Sequence, residues 1–196
     1  MLTLSHCQIR LRQIQPGTER SLMDIKEFFE LSVGKWFSQR TIHNLSSGQL
    51  QAGKSTLTIE LLSDNEPNII QLCEQYQVNP SQARHSLKMS WEGTIERETK
   101  QQTGQSLLLP IIDESSPQAG LFLQQRLGSN NSLIKGRYSL GEDEVLVLVT
   151  ETDDFSAEER LWYLIPNLRL RTSVVKQNNG LTQASFCSEI RIGLKQ

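Results

Sequence analysis

From Leu87 to the C-terminus, the sequence is a series of short segments with a period of two residues, separated by turn signals. The predicted strands are 87–97, 105–112, 120–127, 133–140, 144–151, 160–165, 167–175 and 181–192. The turns between them include Gln102-Thr103-Gly104 and Asn178-Asn179-Gly180. Short strands joined by such turns are typical of an antiparallel meander, and roughly eight or nine strands can close into a barrel around one small ligand.

The N-terminal part of the sequence predicts helices. Between Asp24 and about Ser38, apolar residues recur at steps of three and four, as on one face of an amphipathic helix. A strand over 55–62 follows, Pro67 begins a second helix, and Asn79-Pro80-Ser81 ends it and can begin a further turn. The predicted fold is mainly β: an antiparallel barrel with a short N-terminal helix that plugs or covers one end, and one or two further helices.

Residues 1–22 are set apart by the Pro16-Gly17-Thr18 turn. Polar residues such as Arg10 and Arg12 interrupt any apolar core that a signal peptide would need. Asp24 can cap the helix that follows it, so Met23 resembles a second beginning of the chain. We expect a loosely attached N-terminal extension over 1–22 and a single domain over 23–196.

Composition excludes several classes of protein. The chain has 196 residues, with 20 Lys and Arg against 22 Asp and Glu, and no long run of one charge. This disfavours nucleic acid and membrane surfaces as main partners, and no apolar run is long enough to span a bilayer. We therefore expect a soluble, cytoplasmic protein. No GxSxG, GxGxxG or HExxH motif supports a hydrolase or a dehydrogenase.

The cysteines and histidines predict no metal site. Cys7, Cys73 and Cys187 are far apart, odd in number, and form no CxxC pair. The three histidines are scattered and lack the spacing of a zinc site or of nucleophilic catalysis. We expect free thiols in a reducing compartment.

The predicted strand over 167–175 alternates leucine with arginine. A period of two places Arg169, Arg171 and Ser173 on one face, and Leu168 and Leu170 on the other. In a barrel one face looks inward, and an inward guanidinium group needs an anionic partner. Two inward arginines fit a ligand with two carboxylates, or one carboxylate and an internal acid. The alternative is that the leucines point inward and the arginines form a solvated edge.

Further pocket candidates each have an ordinary alternative. Met89 and Trp91 share one strand face, which is either plain core or a wall for a flat conjugated ligand. Glu158 and Glu159 precede the arginine strand. They are either a surface pair in an acidic loop or, if one of them points inward, an acid for the ligand. Burial would favour the protonated form of an inward carboxyl group and so raise its pKa. Arg40, at the end of the predicted first helix, could cap its C-terminal carbonyl groups.

Four separated motifs resemble those of one family. They are FFELSVGKWFSQRT, MSWEG, ERLWYLIPNLRLRTS and FCSEIR, in this order. Together they resemble the S-type phycobiliprotein chromophore lyases, the CpcS/CpeS family of cyanobacteria and some algae, from Met23 to about Ile192. The resemblance implies a lipocalin-like or fatty-acid-binding-protein-like barrel. Such a protein binds a linear tetrapyrrole and helps attach it through a thioether to a cysteine of an apo-phycobiliprotein.

The resemblance also implies roles for individual residues. The matched positions are Arg40, Arg169, Arg171 and Ser173 for pigment contacts, Met89 and Trp91 for the pocket wall, and Glu159 for an acid that protonates the bilin. A one-residue slip from Glu159 to Glu158 stays open. Because the attacking thiol comes from the client protein, the lyase needs no reactive cysteine of its own.

The resemblance implies a substrate and partners as well. No cofactor is permanently bound, and the bound substrate is a phycobilin, phycocyanobilin first among them. The partner is an apo-phycobiliprotein subunit of the phycocyanin, allophycocyanin or phycoerythrin type, and a homodimer or a heterodimer with a related lyase subunit is compatible with this. Two other functions stay open: a carrier barrel that performs no transfer, and an interaction module that binds no pigment.

The two inward arginines lead to one more expectation. Replacing Arg169 or Arg171 with leucine should weaken bilin binding, because a carboxylate would lose its partner. The same change should stabilise the fold without ligand, because it removes an unpaired inward cation.

Overall fold

The computed structural model describes residues 22–96, 100–128 and 132–193. Over these ranges, ten antiparallel strands form a closed barrel in the order β1-β10-β9-β8-β7-β6-β5-β4-β3-β2. Helix α1 (Ile25–Ser32) comes first, and α2 (Pro67–Gln75) with a 3-10 turn (Pro80–Gln82) lies between β2 and β3. The strands are β1 (Gly34–Asn44), β2 (Gln49–Leu61), β3 (Leu87–Ile95), β4 (Gln102–Ile111), β5 (Ala119–Leu127), β6 (Leu133–Leu140), β7 (Leu146–Glu151), β8 (Phe155–Ile165), β9 (Leu168–Gln177) and β10 (Thr182–Ile192). The predicted fold class is confirmed.

The two helices cover different parts of the barrel. The apolar face of α1, with Ile25, Phe28 and Phe29 at most 2% exposed, packs into the barrel interior and closes one end. Burying a side chain of this size stabilises the fold by about 1.5 to 3 kcal/mol. Helix α2 packs instead on the outer face of β4 and β5, where it buries Leu107 and Leu123. Neither helix in the described ranges has the length and apolar character needed to cross a membrane.

The predicted first helix was too long. Helix α1 begins with a capping box, in which the Asp24 side chain accepts from the Glu27 amide at 2.9 Å and the Glu27 side chain accepts from the Asp24 amide at 3.0 Å. It ends at Ser32, and Gly34, with φ of +132°, redirects the chain into β1. The Trp36 indole donates to the Ser32 carbonyl at 2.9 Å, so its helix-like spacing reflects packing across this turn.

Arg40 therefore lies within β1 rather than at a helix end, and the predicted capping role was wrong. The carbonyl groups at the end of α1 are capped by Arg191 of β10, which donates to Leu31 and Val33. Its guanidinium carbon also lies 4.2 Å from the centroid of the Trp36 ring. A cation at this position satisfies carbonyl groups that have no partner within the helix.

Further boundaries differ from the prediction, and the strand predicted over 55–62 begins earlier, as β2 at Gln49. Residues 102–104, predicted as a turn, begin β4, where Gly104 lies directly opposite Trp91 of β3. A Cβ atom on Gly104 would lie 2.2 Å from the Trp91 ring, so this glycine serves close packing rather than a turn. Strand β8 begins at Phe155, which places Glu158 and Glu159 inside a strand instead of an acidic loop.

In the wall formed by β9 and β10, polar side chains face inward and most apolar side chains face outward. On β10, Cys187 and Glu189 are at most 1% exposed, whereas the alternating Phe186 and Ile190 are 45% and 48% exposed. Strands with one buried face usually show the opposite pattern. This wall therefore brings charged groups into the barrel interior.

The predicted extension over residues 1–22 lies almost entirely outside the described residues, as does Cys7. We expect a variant that lacks residues 1–21 to fold with a melting temperature close to that of the full chain, because the barrel and its helical plug are complete from Met23 onward. Thermal unfolding of the two proteins side by side tests this. A markedly lower melting temperature or loss of solubility in the shorter protein would contradict it.

Candidate functional site in the barrel interior

A cavity of about 320 Å³ lies inside the barrel. Small-molecule sites of proteins usually enclose about 300 to 1,000 Å³. Phe28, Phe29 and Ser32 of α1 form its floor, and the far end is bordered by Arg40 and Gly53. A second concavity of about 720 Å³ is lined mostly by polar residues from the outer side of β1 to β4. We assign the site to the interior cavity, because that is where the charged side chains converge.

The cavity brings together six of the seven residues predicted from the sequence. Those that line it are Arg40, Met89, Trp91, Glu159, Arg169 and Arg171. Ser173 lies on the same face of β9, and its hydroxyl group is 2.9 Å from that of Ser185. The hydrogen bond between the two hydroxyl groups joins β9 to β10.

The arginines of β9 point inward. Arg169 is 4% exposed and the Arg171 side chain is 26% exposed, while Leu168 and Leu170 occupy the outer face of the strand. The inward orientation is therefore confirmed, and the alternative of a solvated arginine edge was wrong.

Both arginines meet a counter-ion that the sequence analysis did not assign. The Glu189 carboxylate of β10 is fully buried, and its Oε2 atom lies 2.6 Å from Arg169 Nη2 and 2.7 Å from Arg169 Nε. Its Oε1 atom lies 3.3 Å from Arg171 Nη2. The sequence analysis expected the two arginines to meet either two ligand carboxylates or one ligand carboxylate and an internal acid. The structure contains such an internal acid, Glu189. The expectation that either arginine is an unpaired cation was wrong.

Electrostatics keep this cluster ionised. Burial alone would raise the pKa of the Glu189 carboxyl, but the charges of Arg169, Arg171 and Arg40 outweigh it and hold that pKa below its ordinary value. Burial alone would lower the pKa of Arg171, but the negative charges of Glu189 and Glu159 raise it above the ordinary range. Glu189 and Arg171 therefore remain charged near neutral pH.

Arg169 is fully engaged by the protein. Its Nη1 atom donates to Ser32 Oγ at 3.0 Å, and its guanidinium group lies 5.1 Å from the Trp36 ring centroid. Ser32 Oγ donates to the Phe28 carbonyl at 2.9 Å, so its contact of 2.8 Å with Tyr163 has the tyrosine as donor. This network ties the floor of the cavity to β8, β9 and β10, and leaves Arg169 little freedom to bind a ligand.

Arg171 is less constrained. In the described part of the chain, Glu189 Oε1 receives no aligned hydrogen bond, although Arg171 lies close to it. Cys187 of β10 lies directly opposite Arg171 of β9 on one side and Arg40 of β1 on the other. The three residues therefore form one row along the cavity wall. Arg171 and Arg40 can therefore act together on an anionic group in the cavity.

The two adjacent glutamates of β8 face opposite sides of the wall. Glu159 lines the cavity, one pleat from Leu161 and opposite Ser173 of β9. Glu158 is exposed and forms an ion pair of 2.8 Å with Arg160. Of the two glutamates, Glu159 is therefore the one that faces the cavity.

Met89 and Trp91 form the opposing wall. The Trp91 ring lies over Gly104, and Trp91 lines the cavity. Arg126 of β5, which the sequence analysis did not select, places its guanidinium carbon 5.7 Å from the Trp91 ring centroid. Among the described residues, no three His, Cys, Asp or Glu side chains are grouped so as to hold a metal ion.

The chain is thus a closed antiparallel β-barrel, plugged at one end by a helix, with an internal cavity lined by charged and aromatic side chains. A family model described as "CpeS-like protein" matches residues 24–192. The chain therefore belongs to the CpcS/CpeS family, as the four sequence motifs predicted.

Individual relatives agree with this assignment. A chromophore lyase CpcS/CpeS 1 of Trichodesmium erythraeum is 51% identical over 170 residues, or 86% of this chain and 98% of the relative. A phycocyanobilin lyase subunit CpcS of Picosynechococcus is 33% identical over 175 residues, or 88% of each chain. The structure of the S-type phycobiliprotein lyase CPES from Guillardia theta matches with a TM-score of 0.78 and 33% identity, covering 88% of this chain and 95% of that one.

Proposed function

We propose that this protein is a chromophore lyase that binds a linear tetrapyrrole in its barrel and promotes thioether attachment to a cysteine of an apo-phycobiliprotein. The observation that carries the proposal is the pairing, in one cavity, of an aromatic wall with a carboxylate-binding wall. Trp91 offers a flat surface to a conjugated body, and Arg171 offers a fixed positive charge to its propionates. Membership of the CpcS/CpeS family supports the same function.

The residues that line the cavity have different roles in binding the bilin. Arg171 and Arg40 bind a propionate, while Met89 and Trp91 hold the conjugated system in one conformation. Ser173 borders the ligand from the same strand face as Arg171. Holding one conformation and excluding wrong additions accounts for most of the acceleration.

Glu159 acts as the acid. It protonates a pyrrole-type nitrogen of the bound bilin, which makes the conjugated system more electrophilic. The client thiol then adds to the ethylidene group of ring A, forming the carbon–sulfur bond. The step is an addition of S–H across a double bond, so it needs neither an oxidant nor a reductant.

The described cysteines do not compete with the client thiol. Cys187 lies beside Arg171 but is 1% exposed, and burial raises the pKa of its thiol despite the nearby arginine. Cys73 lies on the buried face of α2 and is fully buried, and burial raises the pKa of its thiol as well. Because the thiolate is the nucleophile, neither residue can capture the bilin.

Phycocyanobilin is the substrate we propose, since a 33% identical relative is named a phycocyanobilin lyase subunit. The partner we propose is an apo-phycobiliprotein subunit in the cytoplasm. A homodimer or a heterodimer with a related lyase subunit fits this proposal.

Covalent transfer separates a lyase from a carrier barrel. The protein is incubated with phycocyanobilin and individual apo-subunits, and denaturing gels are examined for covalently bound pigment. A lyase increases the yield of correctly attached pigment over the reaction without protein. A carrier would bind the pigment but only slow its spontaneous addition, and either that result or the absence of any binding would contradict the proposal.

A further inference from the structure

The sequence predicted Arg169 and Arg171 as the two cations available to a ligand, but both of them contact Glu189. None of the ion pairs among the described residues involves Arg40 or Arg126, although both line the cavity. Lys54 also borders the cavity, but it occupies an outward position of β2, between the inward Gly53 and Ser55. Arg126 is therefore an exposed cation on the inward-facing row of β5, without an ion pair among the described residues, and it borders both this cavity and the outer concavity.

Arg126 lies across the barrel from Arg171. Around the ring of strands, three strands separate β5 from β9 in one direction and five in the other. Arg126 stands opposite Ser106 of β4, and Ser106 stands opposite Met89 of β3, so the three form a row on the wall that carries Trp91. The two walls thus each present an arginine to the same space.

The Trp91 ring positions Arg126. The ring lies against Gly104, whose missing side chain provides the room, and the Arg126 guanidinium lies over the ring. A guanidinium group stacked on an aromatic face keeps its N–H groups directed outward at the edge, where they can bind a carboxylate. Arg126 can therefore contact a ligand whose conjugated body lies against Trp91.

We infer that Arg126 is a second carboxylate anchor, so that the cavity selects a conjugated ligand with two carboxylates, one bound near Arg171 and Arg40 and the other by Arg126. The inference rests on the proposed function and specifies its ligand chemistry. The internal carboxylate of Glu189 already neutralises Arg169. The second propionate of a bilin is therefore assigned to Arg126 rather than to Arg169.

The test measures binding of phycocyanobilin, its two monomethyl esters and its dimethyl ester by absorbance titration. Arg126→Leu is expected to bind the free acid roughly 10-fold more weakly than the wild type, the scale of one charge-assisted hydrogen bond at a partly exposed site. It should bind the dimethyl ester as tightly as the wild type does. One monoester should be sensitive to Arg126→Leu and the other to Arg171→Leu.

Two further variants complete the test. Arg126→Lys should keep most of the affinity for the free acid, since it retains the charge. Arg137→Leu is the matched control, because Arg137 is an exposed arginine of the neighbouring strand that pairs with Glu151. It should bind every ligand as the wild type does, and melting temperatures establish that all variants fold.

Wild-type affinity of Arg126→Leu for the free acid would overturn this inference alone, provided that the wild type binds bilin. So would equal losses for the free acid and the dimethyl ester, because these would show that Arg126 acts through packing on Trp91 and not through its charge. Failure of the wild type to bind any bilin would overturn the proposed function, and the inference with it.

Discussion

Replacing Arg169 with leucine is expected to destabilise the folded protein by about 3 to 5 kcal/mol, the cost of leaving one member of a buried ion pair without its partner. The Glu189 carboxylate would keep only the contact of 3.3 Å with Arg171, and the hydrogen bond to Ser32 would be lost. Urea unfolding at neutral pH measures the change in the free energy of unfolding.

The double variant Arg169→Leu with Glu189→Leu provides the control. Removing both charges leaves no orphaned carboxylate, so the double variant should recover most of the lost stability. A single variant as stable as the wild type, or a double variant less stable than Arg169→Leu, would contradict the account of the buried pair.

The same variants predict a dependence on pH. The pKa of Glu189 lies below its ordinary value in the folded protein, so its ionised form contributes stability above its unfolded pKa. That stability is lost as the pH falls through the folded pKa. On acidification from neutral pH, the wild type should therefore lose more stability than the double variant. Parallel stability curves for the two proteins would show that the pair does not stabilise the fold.

Replacing Glu159 with glutamine is expected to slow transfer of the bilin to the client subunit by about 10² to 10⁴-fold, the usual range for loss of a general acid. An amide keeps the shape of the side chain but cannot supply the proton. The bound bilin should also absorb at shorter wavelength, because a smaller fraction of it is protonated. Time courses of covalent attachment and spectra of the bound pigment measure both effects.

Glu158→Gln is the matched control for this change. Glu158 is the adjacent residue on the same strand, but it faces outward and pairs with Arg160. Its replacement should leave both the spectrum and the transfer rate unchanged. If instead Glu159→Gln behaves as the wild type, the acid must be sought elsewhere in the cavity or in the client protein.

The sequence was sufficient to predict the barrel, but the period of two residues alone left open whether Arg169 and Arg171 face inward. From Leu87 onward, strict alternation and turn residues predicted eight of the ten strands, because these signals are local. The end of α1 was not predictable in this way. Val33 and Trp36 continue the helical spacing, and only the backbone of Gly34 and the capping by Arg191 from β10 end the helix.

The counter-ion of the site depended on long-range register. Glu189 lies in the FCSEIR motif, yet its pairing with Arg169 exists only because β9 and β10 align these two residues directly opposite each other. The usual rule would also have turned Phe186 and Ile190 inward and Glu189 outward. The sequence did indicate that a counter-ion exists, because inward arginines on β9 require an acid on a neighbouring strand. It did not identify which strand carries that acid.

Strand β10 has one further consequence, for the synthesis of the protein. It is the last described element to leave the ribosome, and it pairs with both β1 and β9 to close the barrel. Until it arrives, two strand edges are unpaired and Arg169 has no counter-ion. The nascent chain thus lacks the wall on which a pigment carboxylate would be held. If the protein has the proposed function, we therefore expect free bilin to bind to finished molecules and not to incomplete chains still attached to the ribosome.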